Sequence, residues 1–235
     1  MLFDSRDLAA FYESPLGQVT RRAIYRRLRM FWPDLRNQRL LGYGFAVPYL
    51  RGLALDAERT IALMPSQHGP LRWPERRGLS LVAEEDTLPF ADGLFDRVLM
   101  VHGLESADSI RLLMRQVWRT LAPAGRLLVV APNRLSLWAQ VDRSPFAQGR
   151  PFTRLQLTKL LQEALFVPER WDSALMLPPL KGRRLIGRGV GWEKAGQLLW
   201  PQLAGVHLVE ATKSLYAPAP VAVRKPRGTL IPAPA

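Results

Sequence analysis

Apolar residues follow two rhythms along this chain. Between Leu79 and Pro132 they alternate in a way that defines its centre. Leu79–Ala83, Phe95–Val101 and Arg126–Ala131 are short, almost unbroken apolar runs, the pattern of buried strands. Between the last two, Ile110, Leu113, Met114, Val117, Trp118 and Leu121 recur at i, i+3, i+4, i+7, i+8 and i+11, one stripe of an amphipathic helix. Asp108 or Ser109 is positioned to cap that helix, and Pro123-Ala124-Gly125 to stop it. Strand, helix and strand in that order predict a right-handed βαβ unit with parallel strands. Strands apolar on both faces predict a sheet covered on both sides, hence an α/β fold.

The flanking sequence extends the pattern. Asp7 to Leu35 reads as helical, with Ser14-Pro15 an N-cap and first-turn pair for a helix ending near Trp32-Pro33. Leu16, Val19, Ala23, Leu28, Phe31 and Trp32 form its apolar stripe; Arg21, Arg22, Arg26, Arg27 and Arg29 make the other face basic. Arg39–Leu50 reads as a strand and a glycine-bearing loop, and Arg59–Met64 as a further strand. Asn133–Arg150 is irregular, with Trp138 and Phe146 among polar residues, and is expected to form a substrate lid or partner surface. Thr153 opens a helix through Phe166 on Leu155, Leu157, Leu160, Leu161 and Leu165, and Phe166–Trp171 is an expected strand. A short helix near Trp192–Trp200, a last strand over Gly205–Ser214, and a Pro-rich basic tail from Ala217 complete the reading. The expected organisation is a helical cap over 1–36, an α/β domain over 37–216 and an extended tail over 217–235.

Composition removes several chemistries. The chain of 235 residues has no cysteine, so disulfides, thiolate metal sites and cysteine nucleophiles are excluded. No segment reaches the ~18 apolar residues of a membrane helix, and the first residues lack the apolar core of a signal peptide, so a cytoplasmic location is expected. The net charge of +13 leaves two readings open: a polyanionic partner such as RNA, or a solvated Arg-rich surface. There is no P-loop, no Ser-His-Asp spacing and no metal-ligand cluster. His102, at the end of the strand Phe95–Val101, is the candidate general base, because strand C-termini line the ligand crevice of open α/β sheets. Asp96 is expected to hold local backbone or an arginine.

LPFADGLFDRV, the following Leu104-Glu105, and WRTLAPAGRLLVVAPNR resemble the later motifs of class I S-adenosylmethionine-dependent methyltransferases of the type 11 group. With Arg39–Leu50 the resemblance runs from Arg39 to Asn133. It implies a Rossmann-like, doubly wound seven-stranded sheet in a single three-layer domain, with S-adenosylmethionine as cofactor. It also implies that the N-terminal segment caps the cofactor pocket, with Tyr12 over it. Carried over residue by residue, Gly42, Tyr43, Gly44 and Ala46 match the glycine-rich loop, Met64 the ribose-binding position, and Glu84, with Glu85 beside it, the adenine-side acid. The chain departs from the pattern at two anchors: Leu40 stands where an acid normally receives the methionine amino group, and Met64 where an acid normally grips the ribose. Three functions follow: methyl transfer to an unidentified acceptor, a methyltransferase-like binding module without turnover for a protein or RNA partner, or methylation of RNA.

Overall fold

The computed structural model of the protein describes residues 3–74, 79–141, 144–176 and 201–215. Two helices come first, α1 (Ser5–Glu13) and α2 (Pro15–Phe31). Then follow β1 (Arg39–Gly44), α3 (Val47–Leu53), β2 (Arg59–Pro65), β3 (Ser80–Ala83), β4 (Phe95–Val101), α4 (Ile110–Thr120), β5 (Leu121–Pro132), α5 (Arg154–Glu163), β6 (Phe166–Ala174) and β7 (Val206–Lys213). The strands form one seven-stranded sheet in the order β3-β2-β1-β4-β5-β7-β6. β1 to β5 pair in parallel, and β7 runs antiparallel to both β5 and β6. This is the α/β, doubly wound architecture of the class I methyltransferase fold. Strand order reverses between β1 and β4, so the ligand crevice of such a sheet falls at their C-terminal ends.

Alternation along each strand divides the core into two faces. Leu40, Leu99 and Leu128 point to the side covered by α1, α2 and α3. Leu41, Val98 and Leu127 point to the side covered by α4 and α5. Asp96 accepts from the Arg39 backbone N–H (2.8 Å) and from the Arg39 guanidinium, joining the starts of β1 and β4 as expected. That pairing holds the Asp96 carboxyl below its ordinary pKa against the opposing effect of its burial.

Several expectations need correction. β3 is an edge strand whose Leu81 and Val82 are exposed; the two-sided burial inferred from its apolar run fails because, among the described residues, no strand pairs beyond it. The buried line of α2 is Gly17, Thr20, Ile24, Leu28 and Phe31, so the stripe is rotated from the one read through Val19 and Ala23. β5 begins at Leu121, directly after α4, and runs through Pro123-Ala124-Gly125. Ser109 makes no side-chain cap. α5 ends at Glu163, and Leu155, assigned to its apolar stripe, is exposed. Trp138 and Phe146 are fully buried, while Leu135 and Leu137 of the same stretch are exposed. The expected helix near Trp192–Trp200 and the tail from Ala217 lie outside the described residues. Among the described residues, no helix is long and apolar enough to cross a membrane.

Candidate functional site

The crevice is built where β1 and β4 end side by side, Gly44 paired with Val101. Gly44 leaves the strand at φ 78°, a conformation open to glycine, and a Cβ there would collide with the Val101 carbonyl and crowd Gly103. Phe45 N–H then donates to Val101 O (2.7 Å), fastening the loop to β4. A Cβ at Gly42 would meet the Leu50 side chain at 2.6 Å and Ala46 at 2.9 Å. Both glycines are therefore required for the protein to close on itself.

Above this loop lies α1. Asp4 caps it with a reciprocal capping box through Asp7, and Ser14 caps the following α2 by accepting from Gly17 N–H (3.0 Å). Ser5, Leu8 and Tyr12 lie at i, i+3 and i+7, so one face of α1 is buried in the crevice. The Tyr12 ring stacks on Phe45 with centroids 5.9 Å apart and 17° between planes. Its hydroxyl accepts from Tyr49 Oη (3.0 Å) and donates to His102 Nε2 (2.8 Å). His102 Nδ1 in turn faces Glu105 Oε1 at 3.1 Å. This network assigns the tautomer: with Nε2 accepting, Nδ1 carries the proton and donates to Glu105. Burial raises the pKa of both phenols; at Tyr12 the neighbouring Tyr49 and Glu105 add to the rise, whereas at Tyr49 the bond it donates to Tyr12 opposes it, so both remain hydrogen-bond donors. Phe146 packs against the His102 ring at 4.8 Å and is backed edge-on by Trp138.

The other predicted residues take separate roles. Met64 is fully buried, with Ser5 Oγ 3.8 Å from its sulfur and donating to Gly69 O (2.9 Å). Glu84 is exposed and accepts from Ser66 Oγ (2.9 Å). Glu85 accepts from Gln67 Nε2 (2.8 Å) and from the Ser109 N–H (3.1 Å) that opens α4, so it ties the turn after β2 to the α4 N-terminus. Tyr43 points to the opposite face; its buried hydroxyl has no hydrogen-bond partner among the described residues, and desolvation, then Glu85 and Glu84, raise its pKa. Ala46 is buried and accepts the first backbone bonds of α3, from Tyr49 and Leu50. The structure thus brings Phe45, Tyr12 and His102 together, and separates Tyr43, Glu84 and Glu85 from them. Sequence reasoning missed Ser5, Tyr49, Phe146 and the Glu105 contact. Only Glu105 carried a signal, three residues after His102.

These residues do not fit S-adenosylmethionine as arranged. The place above residues 42–46 is filled by the Tyr12 and Phe45 rings. The amino-group position, Leu40, is fully buried in the core; the ribose position is a thioether under Ser5. Among the described residues no cluster of potential metal ligands occurs.

Comparisons place the fold in context. Residues 42–129 match the family model described as "Methyltransferase domain". A demethylmenaquinone methyltransferase of Thermus thermophilus is 28% identical over 142 residues, 58% of this chain, and the match spans 63% of that protein's length. A solved S-adenosylmethionine-dependent methyltransferase from Thermotoga maritima superimposes with a TM-score of 0.60 at 16% identity, covering 87% of this chain and 93% of its own. The cyclase SpnF does so at 0.58 and 19%, covering 84% and 82%. The chain thus matches a methyltransferase-domain model over residues 42–129 and shares the class I methyltransferase fold of its solved neighbours.

Proposed function

We propose that this chain is a methyltransferase-like binding module whose cofactor crevice is closed by its own first helix, so that it does not turn over S-adenosylmethionine in this form. The observation that carries the reading is Tyr12: its ring stacks on the glycine-loop residue Phe45 and its hydroxyl bonds His102. The two missing acids support it. Losing the bidentate ribose contact at Met64 alone removes about 3 kcal/mol, more than a hundredfold in affinity. That SpnF, a neighbour by fold, is a cyclase supports the view that this sheet does not by itself fix methyl transfer.

A second reading has one observation in its favour. His102, oriented by Glu105, ends β4 where a general base would stand, and the Tyr12 hydroxyl occupies the position an acceptor hydroxyl would take. If α1 swung aside, a methyl donor and such an acceptor could enter.

Calorimetry separates the two. With S-adenosylmethionine, the wild-type chain and Tyr12→Ala are both expected to give no binding heat at millimolar ligand. Micromolar binding by the wild type would overturn the proposal. Binding gained only in Tyr12→Ala would also overturn it, and make α1 a lid over a working site.

A further inference from the structure

The other face of the sheet holds a groove that takes no part in the crevice. α4 follows β4 and leads into parallel β5, and α5 leaves β5, so both helices run back from the strand C-terminal edge. Ile110, Met114 and Trp118 on α4 face Leu160 on α5, Leu165 just beyond it, and Phe152 before it across a space of about 1000 Å³. That volume is at the upper end for small-molecule sites. From Ile110 to Trp118 the groove runs ~12 Å along the helix.

Its lining is polarised. Arg111 is the second residue of α4, Arg134 lies two residues after the end of β5, and Arg150 N–H donates to Glu105 O (2.9 Å) ahead of α4. These three cations stand at the end where both helices begin, the positive ends of their dipoles. Arg115 and Lys159 follow about one turn further along α4 and α5. The opposite end is Trp118, Ala164 and Leu165, and Glu163 is the sole acid on the lining. All five cations are exposed, and none forms an ion pair among the described residues. A groove of this charge repels the chain's own C-terminal residues 216–235, which carry Arg224, Lys225 and Arg227 and no acid. It also repels a second copy of a chain with a net charge of +13. The matching occupant is anionic at one end and apolar at the other.

We propose that this groove binds a single-chain amphiphile with an anionic head, its carboxylate or phosphate between Arg111, Arg134 and Arg150 and its hydrocarbon chain along Met114 and Leu160 toward Trp118. Arginine is suited to either head, because its planar fork pairs bidentately with both. The groove lies on the opposite side of the sheet from Tyr12, so the fate of the crevice reading does not decide it.

The test is titration of the full chain with four probes below their micellar concentrations: oleate, oleoyl lysophosphatidate, oleyl alcohol and inorganic phosphate. Micromolar binding of oleate or the lysophosphatidate is expected, the tighter of the two naming the head. The alcohol and free phosphate should bind at least tenfold more weakly. Arg111→Gln combined with Arg150→Gln should weaken the anionic probe at least tenfold and leave the alcohol unchanged, with circular dichroism confirming the fold. Four results would overturn the proposal: no anionic probe bound at millimolar concentration, equal binding of the alcohol, indifference to the arginine pair, or adsorption to phosphatidylglycerol vesicles without uptake of monomers. Binding of an acidic amphipathic peptide with no binding of oleate or the lysophosphatidate would reassign the groove to a protein partner.

Discussion

At the scale of single residues, the Tyr49–Tyr12–His102–Glu105 chain is the feature most open to measurement. Tyr12→Phe keeps the ring on Phe45 but strips the hydroxyl that satisfies Tyr49 and His102, both buried. Stranding buried polar groups costs about 1–3 kcal/mol each. The urea midpoint of Tyr12→Phe should therefore fall clearly, and an unchanged midpoint would mean the relay contributes nothing to stability. Two other imidazoles make stability depend on pH. Burial lowers His68 from 6.5 to about 4, with His102 as a lesser cause, and lowers His207 from 6.5 to about 4, with Arg154 as the lesser cause. Between those values the unfolded chain binds protons that the folded chain refuses. Their contribution is complete above 6.5 and is lost as pH falls toward 4, at up to about 1.4 kcal/mol per pH unit for each imidazole. Urea unfolding at pH 7 and pH 4.5 should show the loss, and a flat profile would contradict the burial of both rings. Glu84 and Glu85 show how little a residue's identity says about its task. Adjacent in sequence, one lies at the surface on Ser66 and the other caps a helix. That difference is set by which side of the turn each occupies, and no periodicity encodes it.

At the scale of elements, the sheet was legible because its strands announce themselves by β-rich apolar runs. β4 falls on Phe95–Val101 as read, and Ser14 and Thr153 cap their helices as their residue types suggest. What escaped was where elements dock. The sequence reads as helical from Asp7, but nothing in it says that Ser5, Leu8 and Tyr12 enter the crevice instead of covering it. Trp138 and Phe146 sit among polar residues, so their burial against His102 depends on contacts far apart in the chain. The docking of α1 has a mechanical weak point at its junction with α2. A Cβ at Gly17 would collide with the Phe11 carbonyl and approach Tyr12 Cα at 2.7 Å. Gly17→Ala should therefore force α1 off the crevice while α2 persists, its helix favoured by alanine. Amide exchange over residues 5–13 should accelerate by orders of magnitude with α2 little changed. Equal protection of α1 in both proteins would show that the helix does not depend on that close approach.

At the scale of the molecule, the question is what the net charge of +13 does. Structure reduces the basic face read from α2, because Arg27 pairs with Asp172 and Arg29 with Asp56, leaving Arg21, Arg22 and Arg26 outside any ion pair among the described residues. Arg39, Arg119 and Arg126 are likewise engaged, with Asp96, with Asp92, and with Glu169 and Glu210. A cation already held by a carboxylate releases fewer counterions when a phosphate arrives, so the usable footprint on α2 is three side chains, not five. Each phosphate neutralised on a single strand contributes a slope of about 0.7 in the logarithm of affinity against that of salt. Replacing Arg21, Arg22 and Arg26 with glutamine should then lower the slope by no more than about 2. Single-stranded RNA binding by the wild type should be weaker than micromolar at physiological salt, since Tyr25, the one aromatic between these arginines, is partly buried against the core and base stacking is the other source of such affinity. Filter binding across a salt series measures both quantities. Submicromolar affinity that persists at high salt would point instead to a built RNA site, and would make the RNA-partner form of this module the correct one.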